Sequence, residues 1–157
     1  MDRSISSGSV RFESQDVSGD VEKDKIQTMI LKTVVEISGS RWNDASRILW
    51  EMTNWLVNKV IHEGEAINIT LGAWHSLNEA WLYFLCRTGE EIKTNTCHPS
   101  ITEVHLEMLG QDIIGWCDQL EKYGLVDYEM GFWEERILEV MRYVLTLLKA
   151  RKVGAGT

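Results

Sequence analysis

Proline is almost absent from this chain, and cysteine is scarce. Pro99 is the single proline among 157 residues, and so few helix breakers favour long, uninterrupted helices. The three cysteines are an odd number without a Cys-x-x-Cys pair, so neither a disulfide framework nor a zinc finger is predicted. A chain without a disulfide framework is typical of a reducing compartment.

Excess positive charge and long apolar runs are also lacking. The formal net charge of −8 argues against a basic nucleic-acid-binding surface at the level of the whole chain. The first twenty residues contain no apolar stretch typical of a signal peptide. No segment is long and apolar enough to cross a bilayer, so we expect no membrane insertion.

Motifs for catalysis are missing as well. The chain has neither a Gly-rich phosphate loop nor a nucleophile elbow. Two pairs of adjacent carboxylates occur, Glu90-Glu91 and Glu134-Glu135. Neighbouring helix positions point in different directions, which favours solvated helix ends over an acid/base site.

Residues of metal-binding type are Cys97, His98, His105 and Cys117. Their spacing is not that of zinc ligands, so we expect no enzyme, no cofactor and no metal.

Apolar residues recur at helical spacing from residue 21 onward. Helices are predicted over about residues 21–37, 43–62, 70–92, 100–123 and 132–152. Thr70 is the expected N-cap of the third helix, and Ser100 with Glu103 gives the fourth a capping box. The predicted fold is all-α: a helical assembly domain over 21–152, a flexible acidic Ser/Gly-rich arm over 1–20 and a flexible stub over 153–157.

Tryptophan is abundant, with seven in the chain. The segment "ITLGAWHSLNEAWLYFLCRTGEE" over 69–91 is apolar around more than half of the predicted helix, with Trp74, Trp81 and Leu85 on one seam. Such a helix is either central in its domain or covered by a partner. The fourth helix carries two apolar arcs, and one of them contains Val104 and Met108. We therefore expect these two helices to form a long antiparallel hairpin that pairs with a second copy as an intermolecular four-helix bundle.

The fifth predicted helix carries a second apolar surplus, "GFWEERILEVMRYVLTLL". A second, separate contact surface would turn a closed dimer into a lattice or shell. The basic residues at its end, Lys149, Arg151 and Lys152, suit the negative pole of a helix. Three cations alone are too few for appreciable phosphate binding.

In the order of its parts the chain resembles the core (capsid) proteins of hepadnaviruses and nackednaviruses. "KTVVEISGSRWNDASRILW" is similar to the family's first short helix and the start of its second. "ITLGAWHSLNEAWLYFLCRTGEE" and "HPSITEVHLEML" are similar to the ascending and descending spike helices. "GFWEERILEVMRYV" is similar to the Phe-x-x-Glu-x-x-Leu-Glu segment, matched by Phe132, Glu135, Leu138 and Glu139.

This resemblance implies a capsid subunit that dimerises through its spike and then assembles into an icosahedral shell around the viral genome. The implied dimer contacts are Trp74, Leu77, Trp81, Leu85, Val104 and Met108. The implied contacts between dimers are Trp133, Ile137, Met141, Arg142 and Tyr143. Lys149, Arg151 and Lys152 would lie near the nucleic acid. The implied location is the virion capsid and, during assembly, the host cytoplasm and nucleus.

The chain departs from the family at both ends, and at the first of them the acidic Ser-rich segment over 1–20 is longer than the family's usual N-terminus. The family usually follows its last helix with a Pro-rich arm and then an Arg-rich tail that binds the packaged nucleic acid, and the segment "ARKVGAGT" matches neither. Viral nucleic acid is thus an implied partner only through a C-terminal tail absent here.

Two other hypotheses remain open: a non-enzymatic helical adaptor that binds a partner peptide in an apolar groove, and a small helical-bundle enzyme.

Overall fold

Five α-helices make up the computed structural model, which confirms the all-α class. The model describes residues 24–63, 67–94, 101–129 and 131–156, with the backbone alone at 67–71 and 152–156. Helix α1 is described over residues 24–38, and the others are α2 (Trp42–Glu63), α3 (Ile67–Thr94), α4 (Glu103–Leu120) and α5 (Glu134–Gly156). A short 3₁₀ turn, Glu121–Tyr123, follows α4. In this part of the chain no helix is long and apolar enough to cross a membrane. The arm expected over 1–20 lies outside the described residues.

Helices α2, α3, α5 and α4 pack in that order around a closed ring. Each of α3 and α4 packs against both α2 and α5, and over the described residues α3 and α4 do not pack against each other. The expected direct pairing of the third and fourth helices is therefore wrong: the two helices lie diagonally across the bundle.

Side-chain contacts define the direction of α2 relative to α4. Ser46 lies 3.1 Å from His105, and Trp50 lies 2.9 Å from Asp112. Later residues of α2 therefore meet later residues of α4, so these neighbours run parallel. Helices α2 and α5 both lie between α3 and α4. The apolar faces of α3 and α4 then meet the other two helices.

Helix boundaries follow the predicted breakers closely. The break at residues 38–40 is confirmed, with Ser40 at a positive φ of 59°. Helix α4 ends at Leu120, and the 3₁₀ turn that follows it stops at Gly124, where φ is 69°, a conformation that glycine adopts at little cost. Several predicted ends are wrong: α3 begins at Ile67, so Thr70 is inside the helix; α4 begins at Glu103; α5 begins at Glu134; and α5 continues to Gly156 through most of the expected stub.

The interior is built around large aromatic side chains. Those with essentially no exposed surface are Trp74, Trp81, Phe84 and Phe132. Trp74 stacks on Phe132 with ring centroids 5.6 Å apart. The indole N–H of Trp81 donates to the Thr53 hydroxyl at 2.9 Å, and Thr53 donates in turn to the Leu49 carbonyl at 2.7 Å. The buried polar groups of this contact are thus satisfied within the protein.

A buried asparagine joins α3 to the connection between α4 and α5. The Asn78 amide donates to the Gly131 carbonyl at 2.7 Å and accepts from the Trp133 N–H at 3.0 Å. The Asp127 carboxylate accepts from the Glu135 N–H at 2.9 Å, which satisfies one of the free amides at the start of α5. Gly131 is required here because a Cβ would lie 2.3 Å from the Leu125 carbonyl oxygen.

Candidate functional site: an apolar ridge and groove on α2 and α4

The exposed apolar surface of α4 is the first part of the candidate site. Val104 is 65% exposed and Met108 is 63% exposed. A spacing of four residues places them one turn apart on the same helix face, and together they form the α4 ridge. The ridge starts directly after the N-cap, which is Thr102 and not the predicted Ser100. The Thr102 hydroxyl accepts from the His105 N–H at 3.1 Å.

Beside the ridge lies the α2–α4 groove, a depression of about 570 Å³ between the two parallel helices. Its apolar lining comes from Trp50, Met108 and Leu109. Trp50 is held as one wall because its indole N–H donates to the Asp112 carboxylate at 2.9 Å and its ring lies 5.6 Å from that of Trp116. The groove is therefore partly preformed, which lowers the cost of ordering side chains when a ligand binds.

Charged side chains surround the groove. On α2, Arg47 lies 3.3 Å from Asp44 and 3.8 Å from Glu51. All three side chains are more than half exposed, so water screens these pairs and they contribute little to stability. Asp112 lines the groove on α4, and Glu107 lies on the adjoining surface beside Met108. Negative charge therefore predominates around the apolar floor.

A histidine lies at one end of the groove. The Ser46 hydroxyl donates to the Asn43 carbonyl at 2.9 Å, so its oxygen is free to accept from Nε2–H of His105 at 3.1 Å. This pair fixes the Nε2–H tautomer of the neutral ring. Burial lowers the pKa of His105, so the imidazole stays neutral at neutral pH and adds no positive charge to the groove.

The residues expected at the dimer contact divide into two groups. Trp74, Leu77, Trp81 and Leu85 are 0% exposed. They fill the core of their own subunit, so in this fold they cannot contact a second copy, and that part of the expectation is corrected. Val104 and Met108 form the exposed α4 ridge and stay available. The physical reason is that these four α3 residues lie on the face packed against α2 and α5, whereas Val104 and Met108 lie on the solvent face of α4.

The residues expected at the contact between dimers also include both buried and exposed side chains. Ile137 and Met141 are core residues at 0% and 2% exposure, which corrects their expected role. Arg142 is exposed, and Tyr143 is 48% exposed. Lys93 lies 5.3 Å from the centre of the Tyr143 ring, and a hydrogen bond with Tyr143 raises the pKa of Lys93. Trp133 is half-buried and donates to the Glu129 carbonyl at 3.2 Å.

Two of the three basic side chains expected near nucleic acid at the end of α5 are described. Lys149 is exposed, while Arg151 donates to the Ile92 carbonyl at 3.5 Å. That carbonyl lies in the last turn of α3, so Arg151 helps to neutralise the negative end of that helix. The side chain of Lys152 lies outside the described residues.

The residues of metal-binding and acid/base type are dispersed. Cys97 and His98 lie outside the described residues, and no group of three potential metal ligands occurs within the part that the structure describes. His105 and Cys117 are twelve residues apart on one helix, about 18 Å along its axis. Burial raises the pKa of the Cys117 thiol, as it does that of the neighbouring Glu134 carboxyl. A thiol with a raised pKa is a poor nucleophile.

Sequence reasoning missed the groove side of α2. Trp50, Arg47 and Asp112 were not predicted as site residues, because the expected dimer contacts were all apolar residues of α3 and α4. A tryptophan on the otherwise polar outer face of a helix was the available signal, since such residues are enriched at interfaces.

Comparison with known proteins leaves the site to be interpreted from its own geometry. No protein-family model, curated protein or solved structure matches the chain.

Proposed function

We propose that the chain is a non-enzymatic structural subunit of the viral capsid type, which pairs with a second copy through the α4 ridge and then assembles into a shell. The observation that carries the proposal is the pair Val104 and Met108, two large apolar side chains more than 60% exposed one turn apart. Exposed apolar surface next to a groove is typical of protein–protein contacts. The family resemblance supplies the capsid part of the proposal.

The geometry of the proposed dimer differs from a spike built by α3 and α4. A two-fold axis beside the α4 ridge would bring α2 and α4 of one subunit against α2 and α4 of the other. Four helices would then meet across the axis, and the contact would be isologous. Helix α3 would support this layer from within and make no contact across it.

The expected strength of this contact is modest. Burying a side chain of this size contributes about 1.5–3 kcal/mol, while association costs at least about 4 kcal/mol of lost freedom. Weak contacts suffice for a shell, since each subunit makes several at once. The exposed part of α5, with Arg142 and Tyr143, is the proposed second contact. Genome binding enters this proposal only through a basic tail, which these residues do not contain.

The test is the size of the purified protein, measured by light scattering across a range of concentrations and by electron microscopy. We expect dimers or uniform large particles. Val104→Glu with Met108→Glu should shift the protein to monomers, because each charge would be buried without a partner. A wild-type protein that stays monomeric at high concentration would overturn the proposal.

A matched control is available on α1. Leu31 and Val35 are also four residues apart and are 64% and 58% exposed. Leu31→Glu with Val35→Glu should leave the particle size unchanged. If the α1 pair abolished association and the α4 pair did not, self-association would belong to α1.

A helical adaptor remains the second candidate function, and the α2–α4 groove is the observation that favours it. Its volume of about 570 Å³ lies within the range of small ligand-binding clefts. An adaptor predicts a partner bound in the groove and no particles larger than a dimer.

A further inference from the structure

We propose that the α2–α4 groove is a docking site for a basic amphipathic helix of a partner protein. The groove lies between two parallel helices and carries an apolar floor of Trp50, Met108 and Leu109. A third helix laid along such a groove inserts apolar residues at spacings of three, four and seven. Met108 suits this role because its unbranched side chain adapts to different partners.

The charge around the α2–α4 groove indicates which kind of partner helix would bind there. Among the described residues around the groove and the adjoining ridge, the carboxylates are Asp44, Glu51, Glu107 and Asp112, and the cation is Arg47. Four carboxylates against one guanidinium give a formal charge of −3. Arg47 is already paired with Asp44 and Glu51. A partner with lysines or arginines flanking its apolar face would gain complementary contacts around the whole rim.

The same charges make a second copy the less favourable occupant of the groove. Across a two-fold axis each subunit would bring the same four carboxylates toward the other, so repulsion between like charges keeps the proposed dimer contact weak. The basic helix and the proposed dimer partner would both cover Met108, so they would compete. The docking proposal does not depend on self-association, and either one can fail alone.

The first experiment uses a probe of defined chemistry. A fluorescein-labelled amphipathic helix of leucine and lysine is titrated with the full chain, and binding is followed by anisotropy. Its control is an isomer of identical composition with the leucines scattered around the helix. We expect the amphipathic probe to bind more than about ten-fold tighter than its isomer, and to weaken as salt rises. Equal affinity for the two probes would mean non-specific attraction to an acidic protein and would overturn the proposal.

Charge reversal then tests the location. Glu51→Lys with Glu107→Lys should weaken the leucine–lysine probe more than about ten-fold and improve binding of a leucine–glutamate analogue. The control is Glu121→Lys with Glu129→Lys, which makes the same charge change at exposed positions on the opposite end of the bundle. If the control pair weakens the probe as much as the groove pair, the site is wrong. Light scattering of the probe-free protein reports on self-association separately.

Discussion

Helices α3 and α4 carry similar apolar surpluses in the sequence. In the fold, however, the residues expected at the dimer contact are buried on α3 and exposed on α4. Trp74, Leu77 and Trp81 on α3 have no exposed surface, whereas Val104 and Met108 on α4 are mostly exposed. The difference comes from the helix face on which the residues lie, since the three α3 residues are on the face packed against α2 and α5, whereas Val104 and Met108 are on the solvent face of α4. An apolar surplus therefore shows that a helix needs covering. It does not show whether its own chain or a partner covers it.

The largest expected effect on stability comes from removing a core side chain of α3. Trp81→Ala should lower the free energy of unfolding by about 3–5 kcal/mol, since it leaves a large cavity and removes the donor to Thr53. Denaturant titration measures the effect. Tyr83→Ala, two residues further along the same helix and 40% exposed, should cost much less. Similar losses for the two variants would show that Trp81 is not a core residue.

The next effect concerns the polar contact that fixes α3 to the start of α5. Asn78→Ala should cost about 2–4 kcal/mol, because the Gly131 carbonyl and the Trp133 N–H would both lose a buried partner. Thermal or denaturant unfolding measures it. The exposed neighbour Glu79 provides the control, and Glu79→Ala should change stability by less than about 0.5 kcal/mol. An Asn78→Ala variant as stable as Glu79→Ala would show that these two hydrogen bonds do not fix α3 to the start of α5.

Much of the local structure could be predicted from the sequence. Helix positions follow apolar spacing, and breakers such as residues 38–40 and Gly124 mark their ends. Caps were less certain because Ser100 and Thr102 are both good N-cap residues, and only the fold decides between them. The neighbours of α3 could not be predicted either, since periodicity identifies an apolar face without identifying what packs on it.

The candidate site was less predictable than the fold. The two apolar arcs of α4 look alike in the sequence, but Leu109 and Ile113 are buried while Val104 and Met108 are exposed. Which arc faces solvent depends on the rotation of α4 against α2 and α5, and this is set by packing over the whole bundle. Trp50 has a role only once Asp112, sixty-two residues away, lies beside it.

For the exposed α4 ridge, we expect a substitution to have a small effect on stability. Met108→Ser should change the free energy of unfolding of the monomer by less than about 0.5 kcal/mol, because the side chain is mostly in water already. Denaturant titration at low protein concentration, where self-association is weakest, measures it. A loss of 2 kcal/mol or more would show that Met108 is covered by its own chain, and α4 would then be a core helix like α3.

The smallest expected effect is the pH dependence contributed by His105, at the border between the buried and exposed sides of α4. Burial lowers the pKa of this imidazole below its ordinary value of 6.5, so the unfolded chain binds its proton more readily than the folded chain. Stability from this residue is therefore complete above pH 6.5 and declines as pH falls toward the lowered pKa.

The measurement is the free energy of unfolding of wild type and of His105→Gln between neutral and mildly acidic pH. The wild-type advantage should shrink on acidification, because glutamine does not titrate while the carboxylates titrate alike in both proteins. An advantage that grew at acid pH would mean that the carboxylates of the groove raise the pKa of His105, and that this end of α4 is more open to solvent than its contact with Ser46 indicates.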